Sequence, residues 1–126
     1  MTKYLTDLEI ETPLDYIDLA DVQHVCSTLG AAPTYAQIVA ASLADVAMTP
    51  GTDFPKTDGA VSGRKITVAA KSAVPVDVTG TAAHLALVTV SGSVVRAVTD
   101  LSATQALTSG NTVNIPAWTI EVRDAT

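Results

Sequence analysis

Apolar and polar positions alternate most clearly between residues 62 and 98, in "SGRKITVAAKSAVPVDVTGTAAHLALVTVSGSVVRAV". Within "RKITVAA" at 64–70, Ile66 and Val68 fall on one side of the chain. Lys65 and Thr67 fall on the other, which is the two-residue period of a half-buried strand. Similar runs predict three further strands in this part of the chain, at 74–78, 82–90 and 94–101.

Glycine-containing segments separate these runs. The sequence predicts turns at 78–81 and 108–111, and a tight hairpin loop at "SGS", residues 91–93. Pro75 lacks a backbone N–H, so its strand is predicted to lie at a sheet edge or to bend there. The last predicted strand is "IPAWTIEVRD" at 115–124, with Trp118, Ile120 and Val122 on one face.

The first half of the chain has weaker periodicity and stronger helix signals. Thr12 and Pro13 are predicted as the N-cap and first residue of a short helix over 13–20. Thr34 and Gln37 have the spacing of a capping box, which predicts a helix at 35–41.

Strands are predicted at 22–27 and 42–48, and a surface loop at 49–63, where glycine, proline and charged residues concentrate. The expected fold class is therefore mostly β: an antiparallel β-sandwich of six or seven short strands with one or two short N-terminal helices. Residues 1–12 are predicted to be an extended acidic arm, and residues 13–126 a single sandwich domain.

Composition narrows the class of function. The chain has 126 residues and a net charge of −6, which argues against nucleic acid as a partner because phosphate binding needs clustered Lys and Arg. Six acidic residues within the first 21 positions argue against an export signal, and no apolar run is long enough for a membrane span. Aromatic residues make up 4% of the chain, so a core of small side chains favours added stability from homo-oligomers.

Catalytic candidates are few. His24 and Cys26 are two residues apart and would share a strand face, which leaves open a small thiol enzyme. We favour a small buried thiol for Cys26, because no surrounding residue would lower its pKa. His84 is predicted to be a half-exposed or hydrogen-bonded strand histidine, and Trp118 a core residue.

Metal and anion sites are not predicted either. Asp53, Asp58 and Gly59 lack the spacing of a calcium loop, and the glycines before Arg64 lead into a strand, unlike a phosphate-binding loop. A small positive spot is nevertheless conceivable from four basic residues, which are Lys56, Arg64, Lys65 and Lys71. We therefore expect no catalytic, cofactor-binding or metal-binding residues, and a protein that is not an enzyme.

Three blocks of sequence resemble a family of small virion structural proteins of tailed bacteriophages. They are "PTYAQ…LADV" at 33–46, "SGRKITVAAKSAVPVDVTGTAAHLALV" at 62–88 and "ATQALTSGNTVNIPAWTIEV" at 103–122. The resemblance covers residues 14–126 and carries no catalytic residues. It implies a structural component of a virion, made in the host cytoplasm.

Two positions in the particle remain open at this stage. The first is a capsid decoration or cement protein on the outside of the head, with the major capsid protein as partner and the arm at 1–12 docking on it. An acidic protein suits an outer position, because it would be repelled by packaged DNA. The alternative is a neck or tail component, including a tail-tip protein that contacts the host.

Overall fold

The computed structural model describes residues 14–58 and 63–122. Helix α1 covers residues 14–17, and helix α2 is Tyr35–Ala41. The described strands are β1 (Val22–Cys26), β2 (Ser42–Ala47), β3 (Lys56–Asp58), β4 (Arg64–Val68), β5 (Lys71–Pro75), β6 (Gly80–Thr89), β7 (Val94–Leu107), β8 (Thr112–Ile115) and β9 (Trp118–Val122).

These strands form three antiparallel sheets. The largest has the order β2-β1-β6-β7, a second has the order β3-β4-β9, and β5 pairs with β8. A bridge between Ala44 and Val76 links the edge of the large sheet to the segment that follows β5. The predicted mostly-β, antiparallel, sandwich-like fold is confirmed.

Both faces of the large sheet are covered. On one face, Val25 and Leu85 pack with residues of β5 and β8, and Leu87 packs with Ile66 and Val68 of β4. On the other face, Cys26, Ala86 and Val88 pack against Ile38 of α2. The alternation of side chains along β1 and β6 therefore places apolar residues in separate cores on the two faces, two cores under the small sheets and one under the helix.

Local sequence signals account for several element boundaries. Thr34 accepts a hydrogen bond from the Gln37 N–H, and the Gln37 side chain accepts one from the Thr34 N–H, so the predicted capping box is confirmed. The hairpin loop between β6 and β7 is also confirmed, with Gly92 at φ 83° and Ser93 at φ 55°. Pro75 is the last residue of β5, which pairs with β8 alone among the described strands.

Other predicted boundaries are wrong. The segment 49–63 is not all loop, because β3 lies within it and pairs with β4. The run predicted as one strand at 115–124 is divided between β8 and β9, which join different sheets on either side of Pro116, a residue with no N–H to donate. There are consequently nine described strands where six or seven were predicted.

Three more segments differ in extent. Helix α1 ends at residue 17, before the predicted end at 20, and β5 starts at Lys71, three residues before the predicted start. β7 continues to Leu107 where a strand ending at 101 was predicted. The predicted acidic arm at 1–12, the Thr12 N-cap and Pro13 lie outside the described residues.

Candidate binding site

A large irregularity in β7 borders a cavity in the described part of the chain. Ala82 pairs with Gln105 and His84 pairs with Asp100, so residues 101–104 of β7 stand opposite the single residue Ala83. Such a bulge bends its strand and re-aims side chains, and bulges recur beside binding sites. Here the bulge borders a cavity of about 410 Å³ that is also lined by residues of β8 and β9.

The cavity walls are mainly apolar. Its floor comes from β1 and β6, β8 forms the opposite wall, and Trp118 closes one side. Ser102, Gln105 and Asn114 lie at the rim and are exposed to solvent. The apolar lining residues are Val25, Ala82, Leu85, Leu101, Ala103, Val113, Ile115, Pro116 and Trp118.

A buried hydrogen bond fixes the tryptophan. The indole Nε1–H of Trp118 donates to Oε1 of Gln23 at 2.9 Å, and Gln23 is fully buried between the sheets. The Gln23 amide Nε2 approaches the Met48 sulfur at 3.9 Å. Because its one polar group is occupied at the Gln23 end, Trp118 offers the cavity only apolar ring surface. The prediction of Trp118 as a core residue is therefore only partly met, since the side chain is half-buried and packs at the junction of two cores.

The one charged residue in the lining directs its carboxylate elsewhere. Asp100 Oδ1 is 2.8 Å from Nε2 of His84, and Nδ1 of the same ring accepts the Leu29 N–H at 3.3 Å. These contacts fix the Nε2–H tautomer of His84 and join β6, β7 and the loop after β1. His84 pairs with Cys26 on the helix-covered face, so the Asp100 carboxylate lies on the side of the sheet away from the cavity. His84 is hydrogen-bonded, as predicted.

His24 and Cys26 share one face of β1 but have separate partners. Nδ1 of His24 is 2.8 Å from Oγ of Ser42, and this hydroxyl donates to the Ala44 carbonyl at 3.3 Å. The Ser42 hydroxyl is therefore shared between the His24 ring and a backbone carbonyl, and neither contact involves Cys26. Burial lowers the pKa of His24 despite the opposing effect of the Asp45 charge.

Cys26 is a buried, protonated thiol. Its Sγ donates to the Ile38 carbonyl at 3.6 Å, and its side chain is fully buried under α2. Burial raises its pKa to about 11, which disfavours the thiolate that a nucleophile needs. The predicted identity of Cys26 as a small buried thiol is confirmed.

Three of the four basic residues considered as a positive spot have acidic partners. Lys56 contacts Asp15 and Asp18, Arg64 Nη1 lies 2.7 Å from Asp58, and Lys71 Nζ lies 3.0 Å from Asp53. Burial alone would lower the pKa of Lys56, but hydrogen bonds to Asp18 and Asp15 and their charges raise it overall.

Asp53 accepts from the Thr49 N–H at 2.7 Å as well as from Lys71. Although burial opposes the change, these contacts lower its pKa. Asp53 and Asp58 therefore hold different cations, and Gly59 lies outside the described residues. Among residues 14–58 and 63–122, no group of three or more His, Cys, Asp or Glu side chains could hold a metal ion.

Sequence reasoning missed the cavity and its rim residues. One signal was present in "DLSATQAL" at 100–107, where apolar and polar residues alternate up to Thr104 and then slip by one position at Gln105. A phase slip of this kind within a strand indicates a bulge. It does not indicate which residues face the bulge across the cavity, because those come from β8 and β9.

The comparisons with known proteins add no relative. No protein-family description, no curated protein and no solved structure matches this chain. Within the described part of the chain, no helix is long and apolar enough to cross a membrane.

Proposed function

We propose that this chain is a non-enzymatic structural protein of a tailed-bacteriophage particle. In its most specific form, the proposal is a capsid decoration protein that binds the outside of the head and stabilises it. The major capsid protein is then its partner.

The observation that carries the proposal is the distribution of charge. The chain has 13 acidic and seven basic residues, and three of the basic side chains are held by aspartates of the same molecule. Intramolecular pairing leaves fewer cations to meet phosphate groups, so the surface is unsuited to the DNA-filled interior of a head. An outer position places the same surface in solvent.

The sequence blocks that resemble virion proteins provide the second support. The block at 33–46 spans α2 and most of β2, the block at 62–88 runs from β4 into β6, and that at 103–122 runs from the end of β7 through β9. Each block thus contributes strands to the sheets rather than an isolated loop. The resemblance concerns the framework, which suits a protein whose task is assembly.

An open strand edge gives this framework a way to assemble. β7 is the outer strand of the large sheet, and no described strand pairs with its far side. Near its start, the Tyr16 hydroxyl donates to the Val95 carbonyl at 3.3 Å, which covers one backbone group. Unpaired edge groups are templates for a neighbouring chain, so we expect homo-oligomers. Sedimentation over a range of concentrations checks this expectation, and a monomer at every concentration contradicts it.

The decisive experiment is the copy number per particle, measured by calibrated mass spectrometry of purified virions. A decoration protein follows icosahedral symmetry, so we expect copies on the order of a hundred or more. A count of roughly a dozen or fewer would place the chain at the neck or tail, the alternative position, because axial structures have low-order rotational symmetry. Absence from the particle would overturn the proposal.

A second experiment concerns the acidic segment at 1–12. We expect a variant lacking these residues to keep its circular dichroism spectrum and lose binding to heads stripped of the protein. The full-length chain is the control. Unchanged binding would remove the segment from the docking surface without affecting the copy-number result.

A further inference from the structure

We infer that the cavity beneath the β7 bulge, bounded by residues 101–103 and Trp118, is a binding site for an uncharged, mainly apolar small molecule that carries an aromatic ring. This inference goes beyond the proposed structural role and does not depend on it. The volume, about 410 Å³, falls in the range of small-molecule sites.

The walls determine the class of ligand. Val25 and Leu85 are buried core residues that line the floor, and Val113 and Ile115 of β8 form the opposite wall. An apolar group placed there gains the free energy of leaving water and meets side chains held rigidly by two sheets.

Two polar groups of the lining are bonded away from the cavity, and the remaining polar side chains, those of Ser102, Gln105 and Asn114, are exposed at its rim. The Trp118 N–H is bonded to Gln23, and the Asp100 carboxylate is bonded to His84 on the far face of the sheet. Asn114 Oδ1 accepts the Ala73 N–H at 2.9 Å, which leaves its NH2 group without a partner among the described residues. A charged ligand would lose its hydration without meeting an opposite charge, whereas a neutral ligand with a single acceptor loses little.

The site is also preorganised. The hydrogen bond to Gln23 fixes the indole before any ligand arrives, so the ligand does not have to order this side chain. The ring then presents a flat apolar surface for stacking. The ligand enters the cavity from the side of Ser102, Ala103 and Gln105, all of which are exposed.

A matched pair of fluorescent probes tests the inference. N-phenylnaphthylamine is neutral, and anilinonaphthalene sulfonate has the same rings with an added negative charge. Trp118 is the chain's one tryptophan, so its quenching follows probe binding, and the variants below locate the bound probe. With the full chain we expect saturable quenching of Trp118 by the neutral probe, one probe per chain, and about tenfold weaker binding of the sulfonate.

Two variants fill the cavity from different walls. Ala103→Phe is on the exposed bulge and leaves the core untouched, whereas Val113→Phe acts from β8. We expect each folded variant to bind the neutral probe at least about tenfold more weakly than the unmodified chain. The control is Ala40→Phe, which lies on α2 beside a separate, open depression and should change nothing.

Three results would overturn the inference. They are no saturable quenching of Trp118, equal affinity for the two probes, and unchanged affinity in folded Ala103→Phe. Because Ala103 is exposed, that variant remains informative even if Val113→Phe does not fold.

Discussion

Gln23 and Trp118 are 95 positions apart in the chain, and the indole N–H of Trp118 donates to the buried amide oxygen of Gln23 at 2.9 Å. This bond ties the large sheet at β1 to the small sheet at β9. It is also a liability, because removal of the indole leaves the amide of the fully buried Gln23 without this partner.

We therefore expect Trp118→Phe to lower the free energy of unfolding by about 1–3 kcal/mol from the unpaired Gln23 oxygen, in addition to the loss of ring contacts. In a double-mutant cycle, Gln23→Leu combined with Trp118→Phe should cost less than the sum of the single variants, because the second change removes the stranded group. Urea denaturation followed by circular dichroism measures all four proteins. Strictly additive losses would mean that the bond makes no net contribution.

The lowered pKa of His24 predicts that the stability of the fold depends on pH. Its pKa in the folded protein lies below the ordinary value of 6.5, because burial disfavours the charged ring. The unfolded chain therefore binds more protons between the folded pKa and 6.5, so stability is fully present above 6.5 and declines as the pH falls through this window.

Urea denaturation at a series of pH values from neutral to mildly acidic tests this prediction. His24→Gln should flatten the decline, whereas the unmodified chain should lose stability steadily. A slope that is the same in both proteins would show that other groups cause the pH dependence. Carboxylates titrate mainly below this range, which is why the series stops at mild acidity.

Lys56 of β3 contacts Asp15 of α1 and Asp18, which follows α1. Its side chain retains 20% of its exposure, so solvent weakens the pairs and we expect Lys56→Met to cost about 1 kcal/mol of stability. High salt should reduce the difference in stability between Lys56→Met and the unmodified chain, because salt screens the ion pairs of Lys56, which the variant lacks.

Two further variants separate the contributions of the two carboxylates to stability. Asp18 is 17% exposed and Asp15 is 54% exposed, so Asp18→Asn should be more destabilising than Asp15→Asn. Thermal unfolding of the variants at low and high salt provides the measurement. The reverse order, or a difference that persists unchanged in high salt, would contradict an ionic origin.

We expect the Cys26 thiol to be unreactive in the folded protein. With a pKa of about 11 and full burial under α2, it should resist a thiol reagent such as iodoacetamide at neutral pH and react stoichiometrically in urea. Mass spectrometry of the labelled chain checks both conditions, with Cys26→Ala as the unlabelled control. Rapid labelling of the folded protein would revive the thiol-enzyme alternative.

Short-range physics explains what the sequence predicted well. The capping box of Thr34 and Gln37 needs only residues three apart, and the hairpin at 91–93 needs only a glycine able to adopt positive φ. The strand of Ile66 and Val68 follows from the two-residue period. Cys26 was correctly predicted as buried because a small apolar thiol favours the interior in almost any fold.

The candidate site could not be predicted from local patterns, because it is formed by contacts between residues far apart in the sequence. In the sequence, Gln23 is an ordinary polar residue of a strand. Its burial depends on the hydrogen bond from Trp118, which lies 95 positions away in the chain. The cavity likewise needs the β7 bulge to face β8, although the two belong to different sheets. The sequence by itself determined the class of fold, the turns at 91–93 and 108–111 and the net negative charge, because these follow from composition and neighbouring residues, whereas the turn predicted at 78–81 is wrong because β6 begins at Gly80. Tertiary structure alone decided which strands share a sheet and where the cavity opens, because both arise from pairings between residues distant in the chain.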